Sequence, residues 1–389
     1  MPKRCGILAT RLGDLSRMLE HYADPFFADV RLLIATGTAA LASALLIAVL
    51  LRLRQVLPMD HPNHRSLHAT PIPRTGGIGI LLGASAGWLL GWSVQPPDWS
   101  TSLEAVLVLA LGLGALSLVD DFRGLSVKLR FAAQIAAAAA FVLLLPELPG
   151  GVLGAGLALF ALVWAANLYN FMDGANGLAG GMAVFGFGCY AIAATLHTLN
   201  IAFFDGFELA VASACVAAAA AGFLLFNFDP ARIFMGDVGS VPLGFLAAGL
   251  GLMGWQKGVW PLAFPLLVFS PFIVDASVTL LKRLWRGEKI WQAHREHYYQ
   301  RLIQMGLGHR RTALLEYGLM LACGLSAMVL LLPYKDSGYP SLYGWTFPLK
   351  PSFNPVSTPI LLAWLALYAV LMVKIDKAWA RHLKNTRHD

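Results

Sequence analysis

Charge is scarce in this chain. Only 13% of its 389 residues are Asp, Glu, Lys or Arg, against about 25% in an ordinary soluble domain. With 57% hydrophobic residues, that scarcity excludes a water-soluble core and leaves a membrane protein. Cysteine is scarce too: Cys5, Cys189, Cys215 and Cys323 lie far apart, without a CxxC spacing. Neither a disulfide framework nor a zinc site is indicated. Three of the four fall inside apolar segments and read as small core residues. Residues 1–30 carry Lys3, Arg4, Arg11 and Arg17 but no apolar run. A cleavable signal is therefore not expected there. The segment reads as an amphipathic or disordered N-terminal extension, with Met18 as an alternative start. No internal repeat is evident, and no soluble domain or soluble dimerisation motif is visible.

What is present is a series of apolar stretches of about 17–25 residues, the length a bilayer requires. They are 31–52, 77–95, 103–119, 129–146, 151–169, 178–197, 208–226, 238–255, 259–281, 313–333 and 357–375. The expected fold is all-α: a polytopic bundle of about 11 transmembrane helices. The transmembrane domain would run over 31–375, with a lid-like loop at 282–312 and a tail at 376–389. The run Ala132–Ala140 reads as a close-packing helix face rather than low complexity.

The net charge of +7 does not point to nucleic acid, because the cations sit in short loops between spans. One set of loops holds Arg65, Arg74, Arg123, Lys128, Arg130, Arg232 and the basic residues of 282–311, and the C-terminal tail adds five more. The opposite loops hold only Lys257, Lys335 and Lys350. The bias places the first set and the C-terminus in the cytoplasm. The four cations of the N-terminal extension are the one conflict.

Chemistry-bearing residues gather on that same side. The first loop, Asp60 to Gly79, offers Arg65, His68 and Arg74 to a phosphate, and Gly76 and Gly77 begin a helix whose free N–H groups suit an anion. Its bland reading is a basic loop touching lipid headgroups. Asp120 and Asp121 end the third apolar run beside Arg123 and Lys128. Adjacent acids point in different directions on a helix, and one or two carboxylates with substrate phosphates is the usual magnesium environment. A surface ion-pair cluster is the weaker alternative, because the acids follow an unbroken apolar run.

Asn167, Asn170, Asp173 and Asn176 recur every three residues and would form one polar stripe on a continuing helix. Amides there can read a nucleobase or hold a ribose; an ordinary Asn/Asp/Gly turn is the plain alternative. Asp237, in Gly-Asp-Val-Gly-Ser, is equally readable as a helix cap or a metal ligand. His294 and His297 share a helix face with Arg301 one turn on, and with Arg295 they fit a diphosphate. A solvated basic loop is the alternative. Asp275 lies within the ninth span, where a buried acid bonded to a neighbouring helix and a site residue are equally good readings.

Together, the ordered set DD, NxxNxxDG, GDxGS and a His/Arg loop resembles the polyprenyl-phosphate N-acetylhexosamine-1-phosphate transferases of glycosyltransferase family 4, over roughly residues 31–312. No single motif carries that specificity. The resemblance implies that an oxygen of undecaprenyl phosphate attacks the β-phosphorus of a UDP-N-acetylhexosamine-type donor, giving a lipid-linked diphosphate sugar and UMP. By the same resemblance, magnesium (or manganese in its place) is held by Asp237 with Asp120. Asp120, Asp121, Asp173, His294 and His297 look catalytic. Asn167, Asn170, Asn176, Arg295 and Arg301 look nucleotide- or diphosphate-binding. Arg65, Arg74 and Lys128 are assigned to the lipid phosphate.

Two departures matter. Family members often carry Asp where this chain has Asn176, which puts a metal or base role there in doubt. The HREH sequence differs from the His-rich run of the phospho-MurNAc-pentapeptide transferases and favours the subgroup that initiates O-antigen or lipopolysaccharide glycans. That subgroup implies a bacterial inner-membrane enzyme with its site facing the cytoplasm, in contact with membrane lipids; a homodimer is compatible with the pattern. A MurNAc-pentapeptide transferase, a transporter or flippase of a lipid-linked sugar, and an inactive envelope-assembly scaffold are the alternatives. The transporter reading is weakened because most of the acids lie at the rim rather than at the midplane.

Overall fold

A computed structural model describes residues 30–62, 70–94, 101–146, 148–201, 206–289, 292, 294–332 and 357–386. Arg65 and His68 lie outside the described residues. All eleven expected spans are helical. They are α1 (Val30–Arg52), α2 (Gly76–Val94), α3 (Thr101–Arg123), α4 (Val127–Leu144), α5 (Gly151–Met172), α6 (Leu178–Ile201), α7 (Phe207–Asn227), α8 (Asp237–Gln256), the pair α9 (Ala263–Val268) and α10 (Ser270–Trp285), α12 (Gly308–Val329) and α13 (Ser357–Asn385). A short helix, α11 (Tyr298–Leu302), precedes α12. Among the described residues, nine helices are long and apolar enough to cross a membrane, and this is a multi-pass membrane protein.

The ninth span differs from expectation. It is broken at Phe269 into α9 and α10, with Pro271 in the first turn of α10. Pro271 has no N–H to give Leu267 O, and the Ser270 hydroxyl donates to that carbonyl instead (2.7 Å). α13 runs ten residues beyond its expected end at 375. Its length is roughly 43 Å at the helical rise, more than the about 30 Å of a hydrocarbon layer, so part of it extends beyond one.

α8 is the central helix, buried almost throughout and packed against α3 and α5. α6 pairs with α7, and α2 lies against α7. Of the alanine run on α4, Ala137 and Ala138 are fully inside, while the neighbouring leucines face outward. α13 is almost wholly lipid-facing over its apolar stretch. A two-stranded hairpin, β1 (Met59–Asp60) with β2 (Ile72–Pro73), leads into α2. These packings bring the inner ends of α3, α5, α8 and the start of α4 together at one rim.

Candidate active site

The turn between α3 and α4 is tight. Asp120 accepts the backbone N–H of Leu125 through Oδ1, and Ser126 caps α4 by accepting from Leu129 N–H. Reversing the chain in so few residues lays the first turn of α4 against the last turn of α3. Arg130 then donates through one nitrogen, Nη1, to both Asp120 Oδ2 (2.9 Å) and Asp237 Oδ2 (3.2 Å). From α5, Asn170 Nδ2 donates to Asp237 Oδ1 (2.8 Å) and to Ser240 Oγ (2.9 Å). Four helices thus meet on Asp237.

Arg130 bears no role in the sequence reading, which placed Lys128 here. Lys128 stands exposed, whereas Arg130 is turned inward. Two residues are about 200° apart on a helix, so only one of these cations can face the acids. The cap at Ser126 is the local signal that selects Arg130.

Asp121 sits beside Asp120 but points elsewhere. Its Oδ1 meets Arg74 Nη2 at 3.3 Å, and its Oδ2 is buried with no hydrogen-bond partner among the described residues. Arg74 follows β2, and the loop before α8 is laced to it: Phe234 N–H donates to Pro73 O, Gly76 N–H to Phe234 O and Gly77 N–H to Met235 O. The first-turn N–H groups of Gly76 and Gly77 are therefore occupied by backbone and do not form the expected anion site. Gly236 makes this close approach feasible. It has φ +70°, and a Cβ there would lie 2.1 Å from Arg74 O.

α5 ends at Met172, so the predicted polar stripe stops at Asn170. Asp173 leaves the helix as its C-cap, its own N–H donating to Asn170 O. Burial first, then the nearby Asp237 and Asp60 carboxylates, push its pKa well above the ordinary value. Asp60, on β1, was unassigned in the sequence reading; its only sequence signal was its place at the head of a basic loop.

Asn167, one turn deeper, donates to Gln134 Oε1 (2.6 Å) and Val163 O, joining α5 to α4 rather than facing Asp237. Asn176 is turned away from the stripe. Its Nδ2 donates to Asp229 Oδ1 (2.7 Å), and its backbone N–H to His309 Nδ1. An amide is the complement Asp229 requires here. Asn176→Asp would set two carboxylates against each other, and like charges at such range cannot both stay ionised. Its melting temperature is expected to fall further below wild type as pH rises above about 4, the ordinary carboxylate pKa. A pH series of thermal unfolding checks the sign.

The His loop forms a second body of the site. His297 is buried, its Nδ1 3.3 Å from Asp275 Oδ1, and its ring stacks on Phe171 and Tyr299. Asp275 also accepts Tyr298 N–H (2.9 Å), Tyr299 N–H (3.1 Å) and Thr279 Oγ (3.1 Å). It is a buried acid bonded to a neighbouring helix, and it fixes the start of α11.

The Tyr299 hydroxyl reaches Phe171 O and crowds Gly174, where a Cβ would lie 2.2 Å from it. The His loop thus abuts the α5–α6 turn that carries Asp173. His294 lies beside His297 and accepts Glu296 N–H. Burial, then His297 and Arg283, push its pKa down to about 4, so it stays neutral near pH 7. Arg295 is exposed. Arg301 is not available to a diphosphate as expected: it is 5% exposed and bonded to Asp376 and to Glu296 O.

Among the described residues, no three His, Cys, Asp or Glu side chains form a ready metal cage. The donor set at Asp237 and Asp120 is nevertheless all oxygen, and a cation, Arg130, already bridges the two carboxylates. An apolar cavity of about 270 Å³ lies between α5, α6, α8, α9 and α10, lined by Trp164, Leu168, Tyr190, Leu252 and Ile273 among others. Its α8 wall, Gly244 to Leu252, begins seven residues beyond Asp237, so the cavity lies roughly 10–22 Å deeper in the bundle than the polar cluster.

Residues 103–255 match the glycosyl transferase family 4 model. That segment holds Asp120, Asp121, Arg130, Asn170, Asp173 and Asp237. A decaprenyl-phosphate N-acetylglucosaminephosphotransferase of Mycobacterium tuberculosis is 30% identical over 66% of this chain and 72% of its own length. The chain belongs to glycosyl transferase family 4. A probable undecaprenyl-phosphate N-acetylglucosaminyl 1-phosphate transferase of Bacillus subtilis is 29% identical over 77% of this chain and 85% of that protein. A phospho-N-acetylmuramoyl-pentapeptide-transferase of Halalkalibacterium halodurans is 30% identical over 59% of this chain and 75% of its own. This member of the family is accordingly a transferase of the polyprenyl-phosphate sugar-phosphate class. Its His loop lies outside the segment matched by the family model.

Proposed function

We propose that this chain transfers an N-acetylhexosamine 1-phosphate from a UDP-sugar to undecaprenyl phosphate, at the cytoplasmic face of a bacterial inner membrane, as the first membrane step of O-antigen or another envelope glycan. An oxygen of the lipid phosphate forms a bond to the β-phosphorus, and the bond from that phosphorus to the UMP oxygen breaks. The acceptor is already an anion, so charge neutralisation and in-line positioning matter more than a strong base. The observation that carries the reading is the meeting of Asp120, Asp237, Asn170 and Arg130 at one rim.

Asp237 and Asp120 are the carboxylates that would hold magnesium, which prefers one or two carboxylates and substrate phosphates. When bound, magnesium would neutralise the diphosphate and the departing UMP. Arg130 and Arg74 hold the acids in place and supply positive charge to phosphate oxygens. Asn170 orients Asp237. The apolar cavity lined by Leu168 and Leu252 suits an apolar stretch of a prenyl chain.

The bias of Lys and Arg toward the site's rim favours the cytoplasmic orientation. HREH in place of a His-rich run favours a simple N-acetylhexosamine over the MurNAc-pentapeptide.

The test is a screen of UDP-sugars, UDP-MurNAc-pentapeptide included, with undecaprenyl phosphate and magnesium. Lipid products are read by mass, and UMP by release. Lipid-diphosphate N-acetylhexosamine with stoichiometric UMP is expected. Product from the pentapeptide donor alone would shift the donor assignment, and no UMP from any donor would defeat the reading.

A further inference from the structure

α11 runs on through a π turn (Ile303–Leu307) into α12, but the chain kinks at Gly306 (φ +99°), so the turn ahead of that kink is too short to persist by its own hydrogen bonds. Asp275 holds its first turn from within. Its outer side is held by a residue from the far end of the chain. Asp376, on α13, accepts from Arg301 Nη1 through Oδ1 (2.7 Å) and from Lys282 Nζ through Oδ2 (2.6 Å). The Tyr298 hydroxyl also donates to Oδ2 (3.3 Å). Arg301 and Lys282 both lie over the Tyr298 ring, at 4.9 and 5.2 Å. One carboxylate thus joins three elements: α10, α11 and α13.

Elsewhere among the described residues, α13 meets the core only along its first half, through Ile360, Leu361, Trp364 and Tyr368. Its apolar stretch is nearly all lipid-facing, so side-chain packing cannot set its depth closely. Its other described polar contact is Tyr368, whose hydroxyl meets Ser270 Oγ (2.8 Å) and Cys323 Sγ (3.3 Å). Tyr368 pins α13 within the bundle, and Asp376 pins its inner end to α11. Because His297 opens α11 and Tyr299 packs on the α5–α6 turn, displacement of α11 would reach Asp173.

We propose that Asp376 is a positioning residue: the C-terminal helix holds the His297-bearing helix against the site through this carboxylate. The inference rests on the transferase reading for its catalytic consequence, but not for its structural one. Asp376→Asn keeps the shape and loses the charge that engages Arg301 and Lys282. Hydrogen exchange of the peptide spanning 294–304 is expected to accelerate, while α6 and α7 exchange as in wild type. Melting temperature should stay near wild type. Turnover is expected to fall about tenfold with KM for the UDP-sugar within about threefold, the pattern of a lost transition-state arrangement rather than lost binding. Asp376→Glu should restore most of it.

Unchanged exchange in 294–304 overturns the proposal, as does faster exchange with full turnover. Should Asp376→Asn fail to fold, Lys282→Gln removes one of the three donors and should shift exchange and turnover in the same directions, less far; no shift overturns the proposal equally. A wild type that turns over no UDP-sugar defeats the transferase reading instead, and the exchange measurement then still decides whether Asp376 holds α11.

Discussion

Asp237→Asn is expected to cut turnover by about 10²–10³-fold, the scale on which removal of one preorganised electrostatic group is felt. The residue opens α8 immediately after Gly236, whose φ of +70° allows the loop to pass under Arg74 O. One of its oxygens takes Asn170 and the other takes Arg130. An amide in its place presents one acceptor and one donor to two donors, so either Asn170 or Arg130 loses its partner. Arg130 keeps Asp120, and the fold at this rim is expected to survive.

What Asp237→Asn removes is a negative charge where a divalent cation would sit between carboxylate and diphosphate. The check is UMP release across a magnesium series. Activity that remains depressed at saturating magnesium, with wild-type melting behaviour, is the expected result. Wild-type turnover in the variant would take Asp237 out of any metal site.

The spans were legible because apolar length is a property of the chain alone, and bilayer thickness sets the length required. The break in the ninth span was legible as well, in Pro271, but a hydropathy window averages over it. The motif positions on one rim followed from counting spans. Which side chain of a motif faces its neighbours did not follow, because that depends on where each helix starts and stops. Lys128 and Arg130 differ by two residues, and only the cap at Ser126 decides between them.

The three-residue spacing of Asn167, Asn170, Asp173 and Asn176 suggested one stripe. α5 ends at Met172, so the periodicity that joined them ceases to apply, and Asn176 serves Asp229 instead. Gly76 and Gly77 were readable as helix-opening glycines. Their N–H groups are engaged by the 234–235 backbone, a contact between segments about 160 residues apart in sequence. Arg301 was correctly seen as close to the His pair in sequence, but its partner, Asp376, lies in a tail with no motif at all.

Asp275→Ala is expected to be the most disruptive single change in the His loop. Its carboxylate serves four donors at once: the Tyr298 and Tyr299 N–H groups, Thr279 Oγ and the His297 ring. A hydrogen bond to a charged group contributes about 1.5–3 kcal/mol, and a buried donor left unpaired costs about 1–3 kcal/mol. Four such losses exceed what the short helical stretch ahead of the Gly306 kink can withstand, so α11 is expected to detach before the bundle does. Detachment relieves the orphaned donors by giving them to water, which caps the global loss at the stability of the loop itself.

The separable expectations are then a collapse of turnover, fast hydrogen exchange at 294–304, and only a modest fall in melting temperature for α3–α8. Asp275→Asn should fall between, because one amide oxygen can still accept while the amide nitrogen opposes a backbone N–H. A variant Asp275→Ala with wild-type turnover and a protected 294–304 peptide would mean that α11 is held by Asp376 and its packing alone. In that case the charge on α10 would be dispensable to the site.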